Sequence, residues 1–528
     1  ILAQGSRAMV LMSWSSTASP SPKPWWNAWP SEQSLPQESS WTLQSSPRTT
    51  ALGAAPSAQK TRRWAASSSY TQLEKRPVSR QLSWFRPKAP AQEPVALLSR
   101  ERRGELRSVA AALAPVLIGS LALILAGIAW THLARRERGL AGGKPDLLKA
   151  VGYAPIPLRS PGHAIRDDDF ASSNTSALWG PHGRRDLGII GSLGANAVRL
   201  YGNDFLLDHS GFLDEALAEG LRVIPGISDW PYTQMEGSCK HTKYDCFQQI
   251  KEAYEGNLQR GFLGENGQYH PAIHTVALIN EPDLKVSNDS GVVAHPDVFC
   301  KAIISAFDAV LEAEKEAAVV GPLPNFTATF SYGVCYSCKN ITREVPAFGQ
   351  MVALREAMRN PESVGYTPRN DLWDAYQQRF TNSVNTENPA DEYKRYFQDR
   401  YDAHFQGTPV FIGEYHAPLW DQREDLPKIM DLSTDNSSLL FGVAFFEFQV
   451  RYDKGGVGEM SFGMFGLGDH ELGHLYIKSD KLTVYCLKPI RGHAGEVLHV
   501  ALARALHGPG VPRERLCPDT PPEESQQA

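Results

Sequence analysis

Two glutamates each follow an apolar stretch of the kind that forms a buried strand. Residues 275–280 read Thr-Val-Ala-Leu-Ile-Asn, and Glu281 and Pro282 come directly after them. Residues 410–413 form a second such run, which ends at Glu414. Uncharged runs of this kind are typical of strands that are buried on both faces. Two carboxylates delivered by two strands suit glycoside chemistry, in which one protonates the leaving oxygen and the other attacks the anomeric carbon.

The surrounding chain indicates how these glutamates are brought together. From residue 144 onwards, strand-like runs alternate with helical stretches, which predicts an α/β fold and specifically a (β/α)₈ TIM barrel over residues 144–490. The carboxyl ends of the strands form the active face of such a barrel, and strands four and seven lie on opposite sides of its opening. The eight predicted strands are 147–153, 195–201, 221–227, 275–280, 327–332, 380–385, 410–413 and 441–448.

Further side chains near the predicted strand ends are candidates for binding a sugar. Asn280 is expected to hydrogen-bond the sugar 2-hydroxyl, and Arg199, at the end of strand two, is expected to hold Glu414 ionised. Aromatic rings in loops after the strands can stack on sugar faces, although packing within the loop is the alternative for each of them. The other candidates are Trp179, Tyr201, Trp230, Tyr232, Tyr332, His416, Trp420 and Glu447, the last with an ion pair to Arg451 as its alternative.

These motifs resemble those of the clan A glycoside hydrolases. In that clan the glutamate of the Asn-Glu pair, here Glu281, is the acid/base, and the later glutamate, here Glu414, is the nucleophile of a retaining double displacement. The resemblance is greatest to the fungal β-1,3-glucanosyltransferases of family 72, with β-1,3-glucanases more distantly similar, in the stretches 193–201, 216–223 and 442–448. It implies a β-glucan polysaccharide or oligosaccharide as substrate and no cofactor. The family often supports the nucleophile with a tyrosine from strand six, which has no counterpart near Asn385, and hydrolysis and transglycosylation both stay open.

The N-terminal part of the chain has a different composition. Residues 1–107 are rich in Ser, Pro and Gln without a sustained period, which predicts a disordered segment. Residues 109–131 contain no charge, which predicts a transmembrane helix in contact with a lipid bilayer. Residues 1–108 hold 15 Lys and Arg against 6 Asp and Glu, and this positive charge favours a cytoplasmic location for the segment.

The region after residue 131 carries signals of the secretory pathway. All seven cysteines lie there, consistent with disulfides in an oxidising compartment, and Cys239 and Cys246 are close enough to close one loop. These signals predict a single-pass type II membrane glycoprotein whose catalytic domain is lumenal or extracellular. The same region is acidic, which argues against nucleic acid as a partner. The candidate glycosylation acceptors are Asn174, Asn288, Asn325, Asn340 and Asn436.

Two alternatives compete with an O-glycosyl enzyme. Residues 470–474 read His-Glu-Leu-Gly-His, the letters of a zinc-protease motif, but glycines precede them and a long helix is not predicted, so a surface loop without metal is expected. A non-catalytic carbohydrate-binding or scaffold barrel is the other alternative, against which the two glutamates argue. Residues 491–528 are polar and Pro-rich and are predicted to form a tail without a hydrophobic run.

Overall fold

The computed structural model describes residues 144–161, 165, 167–289, 291–338, 344–455 and 458–518. The predicted disordered segment 1–107 and the predicted transmembrane helix 109–131 lie outside these residues. Within the described ranges, none of the helices combines the length and the apolar composition that crossing a membrane requires.

Parallel strands surround the centre of the fold. Their hydrogen-bonded order is β3-β2-β1-β8-β7-β6-β5-β4, and isolated bridges from Val223 to Ile273 and from Gly226 to Ala277 join β3 to β4. The predicted (β/α)₈ barrel is therefore confirmed, and each predicted strand overlaps an observed one. The strands are β1 (Leu148–Gly152), β2 (Ala197–Arg199), β3 (Arg222–Ile224), β4 (Thr275–Asn280), β5 (Asn325–Phe330), β6 (Asn382–Thr386), β7 (Val410–Tyr415) and β8 (Leu440–Phe445).

Helices follow the strands and cover the outside of the barrel. Residues 390–404 are helical except at a wider turn, Lys394–Gln398, which separates two short helices. The helices are α1 (Ser176–Trp179), α2 (Asp186–Ser192), α3 (Ser210–Ala218), α4 (Phe247–Asn257), α5 (Pro282–Lys285), α6 (Pro296–Glu316), α7 (Phe348–Arg359), α8 (Leu372–Arg379), α9 (Ala390–Tyr393), α10 (Asp399–His404), α11 (Gln422–Thr434) and α12 (Leu498–Leu506).

A small apolar cluster fills the interior of the barrel. Phe411 of β7 and Phe441 of β8 meet there at a centroid distance of 5.5 Å, and Leu148, Ile224 and four alanines complete the cluster. Alternating large and small side chains fill the narrow interior of a barrel of this size. The strands therefore have buried residues on both faces, and polar side chains with a chemical role are confined to the strand ends.

Residues after β8 form a two-stranded hairpin, β9 (Phe465–Ile477) and β10 (Asp480–Pro489). The His-Glu-Leu-Gly-His sequence lies in β9, so the predicted surface loop is wrong, and the helix that a zinc protease needs is replaced by a strand. Four residues of strand separate His470 from His474 by about 13 Å, too far for both to bind one ion. The described residues contain no group of His, Cys, Asp and Glu side chains that could hold a metal.

The segment after residue 490 is not an extended tail, contrary to the prediction from its composition. Helix α12 buries Leu498, Leu502 and Leu506, and the Leu506 carbonyl accepts a hydrogen bond from Lys149 Nζ of β1 at 2.7 Å. Residues after 490 therefore pack against the barrel through α12. Composition was misleading because a nine-residue helix contributes few apolar residues to an otherwise polar and Pro-rich stretch.

The cysteines form local cross-links, and Cys300 is buried and free. Of the glycosylation acceptors, Asn174, Asn288 and Asn436 are exposed, whereas Asn325 begins β5 and Asn340 lies outside the described residues. The expected loop closure by Cys239 and Cys246 is present. The disulfides are Cys239–Cys246, Cys335–Cys338 and Cys486–Cys517.

Candidate active site

The two glutamates lie at the same end of the barrel because their strands are parallel. Glu281 follows the last residue of β4, and Glu414 is the penultimate residue of β7. Both therefore lie where the carboxyl ends of the strands open to solvent. Asn385 of β6 is in register with Glu414 and places a further polar side chain between the two carboxylates.

Arg199 is the centre of the polar network at this end. Its guanidinium donates from Nη1 to Glu414 Oε1 at 3.1 Å and from Nη2 to Asn280 Oδ1 at 2.6 Å. Nη1 also donates to the Gly413 carbonyl oxygen. The side chain is only 1% exposed, so the ion pair with Glu414 operates where solvent screens little. The contact between Arg199 and Glu414 is the one that the sequence predicts.

Asn385 connects the two glutamates and was not among the predicted site residues. Its Nδ2 donates to Glu281 Oε1 at 3.1 Å and to Asn280 Oδ1 at 3.1 Å, while its Oδ1 accepts from Arg199 Nη1 at 3.4 Å. An amide thus occupies the strand-six position near which the sequence lacks the expected tyrosine. The available signal was the polar Asn-Ser-Val-Asn-Thr run at the end of a predicted strand.

Asn280 is oriented by this network. Its Oδ1 accepts from both Arg199 and Asn385, which fixes the amide plane and identifies Nδ2 as the donor side. The Nδ2 group is therefore the part of Asn280 that can donate to a bound hydroxyl. This orientation fits the predicted contact with a sugar 2-hydroxyl.

The electrostatics of Glu414 reflect opposing influences. Burial raises the pKa of the Glu414 carboxyl to about 7, the Arg199 guanidinium lowers it, and the negative charge of Glu281 raises it. Interacting carboxylates titrate as a pair, so a proton gained by one favours ionisation of the other. Ionisation of Glu414 is therefore opposed by burial and by Glu281 and favoured by Arg199.

Exposed aromatic rings lie in two loops that follow barrel strands. Trp230, in the loop after β3, is 51% exposed, and Trp420, in the loop after β7, is 46% exposed. Tyr201 is half-buried, with the centroid of its ring 4.7 Å from the Arg199 guanidinium carbon. The half-buried Tyr332 follows β5, and its hydroxyl has no hydrogen-bond partner among the described residues. All four remain candidates for sugar contacts.

Tyr232 and Trp179 are buried, so their predicted roles at the sugar are wrong. The Tyr232 hydroxyl donates to the Leu278 carbonyl oxygen of β4 at 2.8 Å. The Trp179 Nε1 donates to Thr175 Oγ1 at 3.2 Å. In both residues the polar atom is satisfied inside the protein, as is usual for a buried Tyr or Trp. Tyr232 instead anchors the turn Trp230–Gln234 to β4.

His416 packs in the core rather than lining the pocket. Its Nδ1 lies 2.9 Å from the Phe446 carbonyl oxygen, and its ring contacts Phe445 and Phe462. Burial lowers the pKa of His416 to about 4, which keeps the ring neutral at physiological pH. The predicted pocket contact is therefore not present.

Glu447 fulfils neither of its predicted alternatives. It is fully buried, and Arg451 pairs with Asp453 at 2.8 Å instead. Both carboxyl oxygens of Glu447 are without a hydrogen-bond partner in the described part of the chain. Burial raises the pKa of Glu447 well above its ordinary value, which favours the protonated form.

Comparisons with known proteins give a structural similarity alone. No protein-family model matches the chain, and no curated protein matches it. Among solved structures it is similar to Saccharomyces cerevisiae Gas2p in complex with laminaripentaose, at 14% identity and a TM-score of 0.40, over 69% of this chain and 66% of that one. Gas2p in complex with laminaritriose and laminaritetraose gives 14% identity and a TM-score of 0.40, over 70% of this chain and 65% of that one. This chain thus spans just under two thirds of the length of those structures.

Proposed function

We propose that this chain is a retaining glycosidase or transglycosidase that acts on β-glucan. The observation that carries the proposal is a continuous hydrogen-bonded network between the two glutamates. In it Asn385 donates to Glu281, Arg199 donates to Glu414, and both donate to Asn280. A network that joins two carboxylates at the open end of a barrel fixes their relative position, which acid/base and nucleophilic chemistry both require.

The reaction proceeds in two displacements. Glu281, protonated, gives its proton to the glycosidic oxygen while Glu414 attacks the anomeric carbon, so that the glycosidic bond breaks and a glycosyl ester forms. In the second displacement, water or a sugar hydroxyl gives a proton to the now ionised Glu281. Its oxygen attacks the anomeric carbon, the ester bond breaks, and Glu414 is released as a carboxylate. Arg199 stabilises the Glu414 carboxylate before and after the covalent stage.

A β-1,3-glucan is the proposed substrate. Support comes from the resemblance of the strand-end motifs to family 72 and from the exposed rings of Trp230 and Trp420, which can stack on sugars of a chain that crosses the opening. A lumenal or extracellular domain tethered to the membrane by residues 109–131 is part of the same proposal. It is supported by the disulfides and by the exposed acceptors Asn174 and Asn436.

Product analysis of the purified full chain on a panel of β-glucans tests the proposal. Products longer than the substrate would mean transfer, and shortened products alone would mean hydrolysis. The Glu281→Gln and Glu414→Gln variants serve as isosteric controls. A 2-deoxy-2-fluoro glycoside with an activated leaving group should label Glu414 covalently, as mass spectrometry of the digested protein would show. Unchanged glucans together with an unlabelled Glu414 would contradict the proposal.

A further inference from the structure

Glu281 has an unusual backbone conformation. Its φ and ψ angles are 48° and 52°, in the left-handed region that non-glycine residues rarely adopt. The conformation turns the chain from β4 into α5, a helix of only four residues that begins at Pro282. Such a short helix has little stability of its own. Surrounding contacts must therefore hold the Glu281 backbone, and with it the direction of the side chain.

The Glu281 backbone N–H donates to the Thr329 carbonyl oxygen at 2.7 Å, and Asp283 supplies further contacts from inside α5. Its Oδ1 accepts from the Ser331 backbone N–H at 3.1 Å, and its Oδ2 accepts from Ser331 Oγ at 2.7 Å and from Gln350 Nε2 at 3.1 Å. Ser331 follows β5, and Gln350 belongs to α7. The carboxylate thus ties the turn that carries Glu281 to the next strand and to an outer helix.

The contact is unlike an ordinary structural ion pair. Asp283 is fully buried, and each of its side-chain hydrogen-bond donors is a neutral group. Burying a carboxylate among neutral donors is costly unless its hydrogen bonds are well made. Gln350 is itself held by a bond from Nε2 to the Gly333 carbonyl oxygen at 2.8 Å. The position of the Gln350 donor therefore does not depend on Asp283 alone.

We propose that Asp283 is a positioning residue that holds Glu281 in the geometry needed to protonate the leaving oxygen. The inference rests on the proposed function, in which Glu281 is the acid/base. A misplaced acid transfers its proton less well, but the need for that proton depends on the leaving group. A 2,4-dinitrophenolate leaves without protonation, whereas an alkoxide or an electron-rich phenolate does not.

The experiment compares the wild-type full chain with Asp283→Asn on aryl β-laminaribiosides of graded leaving-group acidity. The variant retains the side-chain volume, but its amide N–H group faces hydrogen-bond donors from which the wild-type carboxylate accepts. We expect kcat/KM for the 4-methoxyphenyl substrate to fall about 30-fold and that for the 2,4-dinitrophenyl substrate to change less than about 3-fold, because general acid catalysis contributes roughly 10²- to 10⁴-fold. An equal loss on both substrates would overturn the inference.

Asp308 of α6 provides a matched control. It is also fully buried, and it accepts from the Tyr366 hydroxyl at 2.6 Å and from the Arg369 and Asn370 backbone N–H groups at 2.8 and 2.9 Å. Asp308→Asn should lower the melting temperature but leave the ratio of the two kcat/KM values unchanged. A leaving-group dependence as steep as that of Asp283→Asn would mean that the effect reports lost stability, and would overturn the inference.

Ser331→Ala is the milder variant if Asp283→Asn fails to fold. It removes the 2.7 Å hydroxyl contact and keeps the other two donors. We expect a loss of about 5-fold on the 4-methoxyphenyl substrate, with the 2,4-dinitrophenyl substrate unaffected. An unchanged ratio would contradict the positioning role. A wild-type protein that turns over neither substrate would overturn the proposed function instead, and the inference with it.

Discussion

The carboxylates at the ends of β4 and β7 are held by different means. Glu281 lies just beyond its strand with a left-handed backbone, and its carboxylate accepts from the neutral amide of Asn385. Glu414 lies within its strand, and its carboxylate accepts from the buried cation Arg199. One group is directed through the backbone and a neutral partner, and the other through a fixed charge.

The difference matches the two proposed roles. An acid/base changes its charge twice in each catalytic cycle, so a neutral partner that tolerates both states suits Glu281. A nucleophile must be ionised before it attacks, so a permanent cation suits Glu414 even though burial raises its pKa. The following predictions test this division of roles, beginning with the largest expected effect.

Glu414→Gln should abolish turnover, with kcat reduced about 10⁵-fold because the nucleophile is lost. The same variant should be more stable than the wild type above pH 7. The folded-state pKa of Glu414 is raised to about 7 from the ordinary 4.5, so the wild type loses stability as the pH rises between these values. Melting temperatures measured from pH 4 to 8 check this. A variant with a lower melting temperature than the wild type at pH 8 would contradict the conclusion that burial destabilises the ionised form of Glu414.

Glu281→Gln should reduce turnover of unactivated glucan about 10³-fold. Formation of the glycosyl ester from a 2,4-dinitrophenyl glycoside should continue, because that leaving group needs no proton. The rate of this step should fall on the acid side of its pH profile, and that acid limb should move to lower pH in the variant. The reason is that the negative charge of Glu281, which the variant lacks, raises the pKa of Glu414. Pre-steady-state bursts measured across the pH range give both quantities. An unmoved limb would show that the two carboxylates do not interact.

Arg199→Lys should reduce kcat/KM about 100-fold, because a compact ammonium cannot donate hydrogen bonds to Glu414, Asn280 and Gly413 at the same time. Arg199→Met removes the charge as well, so the pKa of Glu414 and the acid limb should rise. The comparison of the two variants separates geometry from charge. If the acid limbs of the pH profiles coincide for Arg199→Lys and Arg199→Met, the charge of residue 199 has no influence on the pKa of Glu414.

Asn385→Ala should have the smallest effect, about 10-fold on unactivated glucan. It removes the hydrogen bonds of Asn385 to Glu281, Asn280 and Arg199 but leaves the ion pair of Glu414 in place. Combined with Glu281→Gln, it should cost little more than Glu281→Gln alone, since both changes act on the same proton transfer. Fully additive losses in this double-mutant cycle would assign Asn385 to the Glu414 side instead.

The sequence predicted the features that follow from local patterns. Apolar runs that end in a glutamate placed Glu281 and Glu414 at strand ends, and the strand order then placed Arg199 near Glu414. The barrel was predictable for the same reason, because strand and helix periods alternate over most of the domain.

Features set by long-range contacts were not predictable. Asn385 lies 104 positions from Glu281 and 186 positions from Arg199 along the chain, and an isolated asparagine carries no sign of such partners. Trp230 and Tyr232 are two residues apart in the same turn, yet one ring is exposed and the other is buried. Which ring faces β4 depends on how the turn packs, and local sequence does not reveal that.

The hydrogen bond from Lys149 to the Leu506 carbonyl joins β1 to α12, a helix that follows all eight barrel strands in the sequence. The barrel wall therefore contacts residues that are synthesised after all of its strands, and Cys486–Cys517 closes that segment only after residue 517 has emerged. A protein cut at residue 490 would expose the surface that α12 covers and leave Cys486 without its partner. Nascent chains should accordingly gain protease resistance in two stages, with the second stage appearing only when α12 has been synthesised.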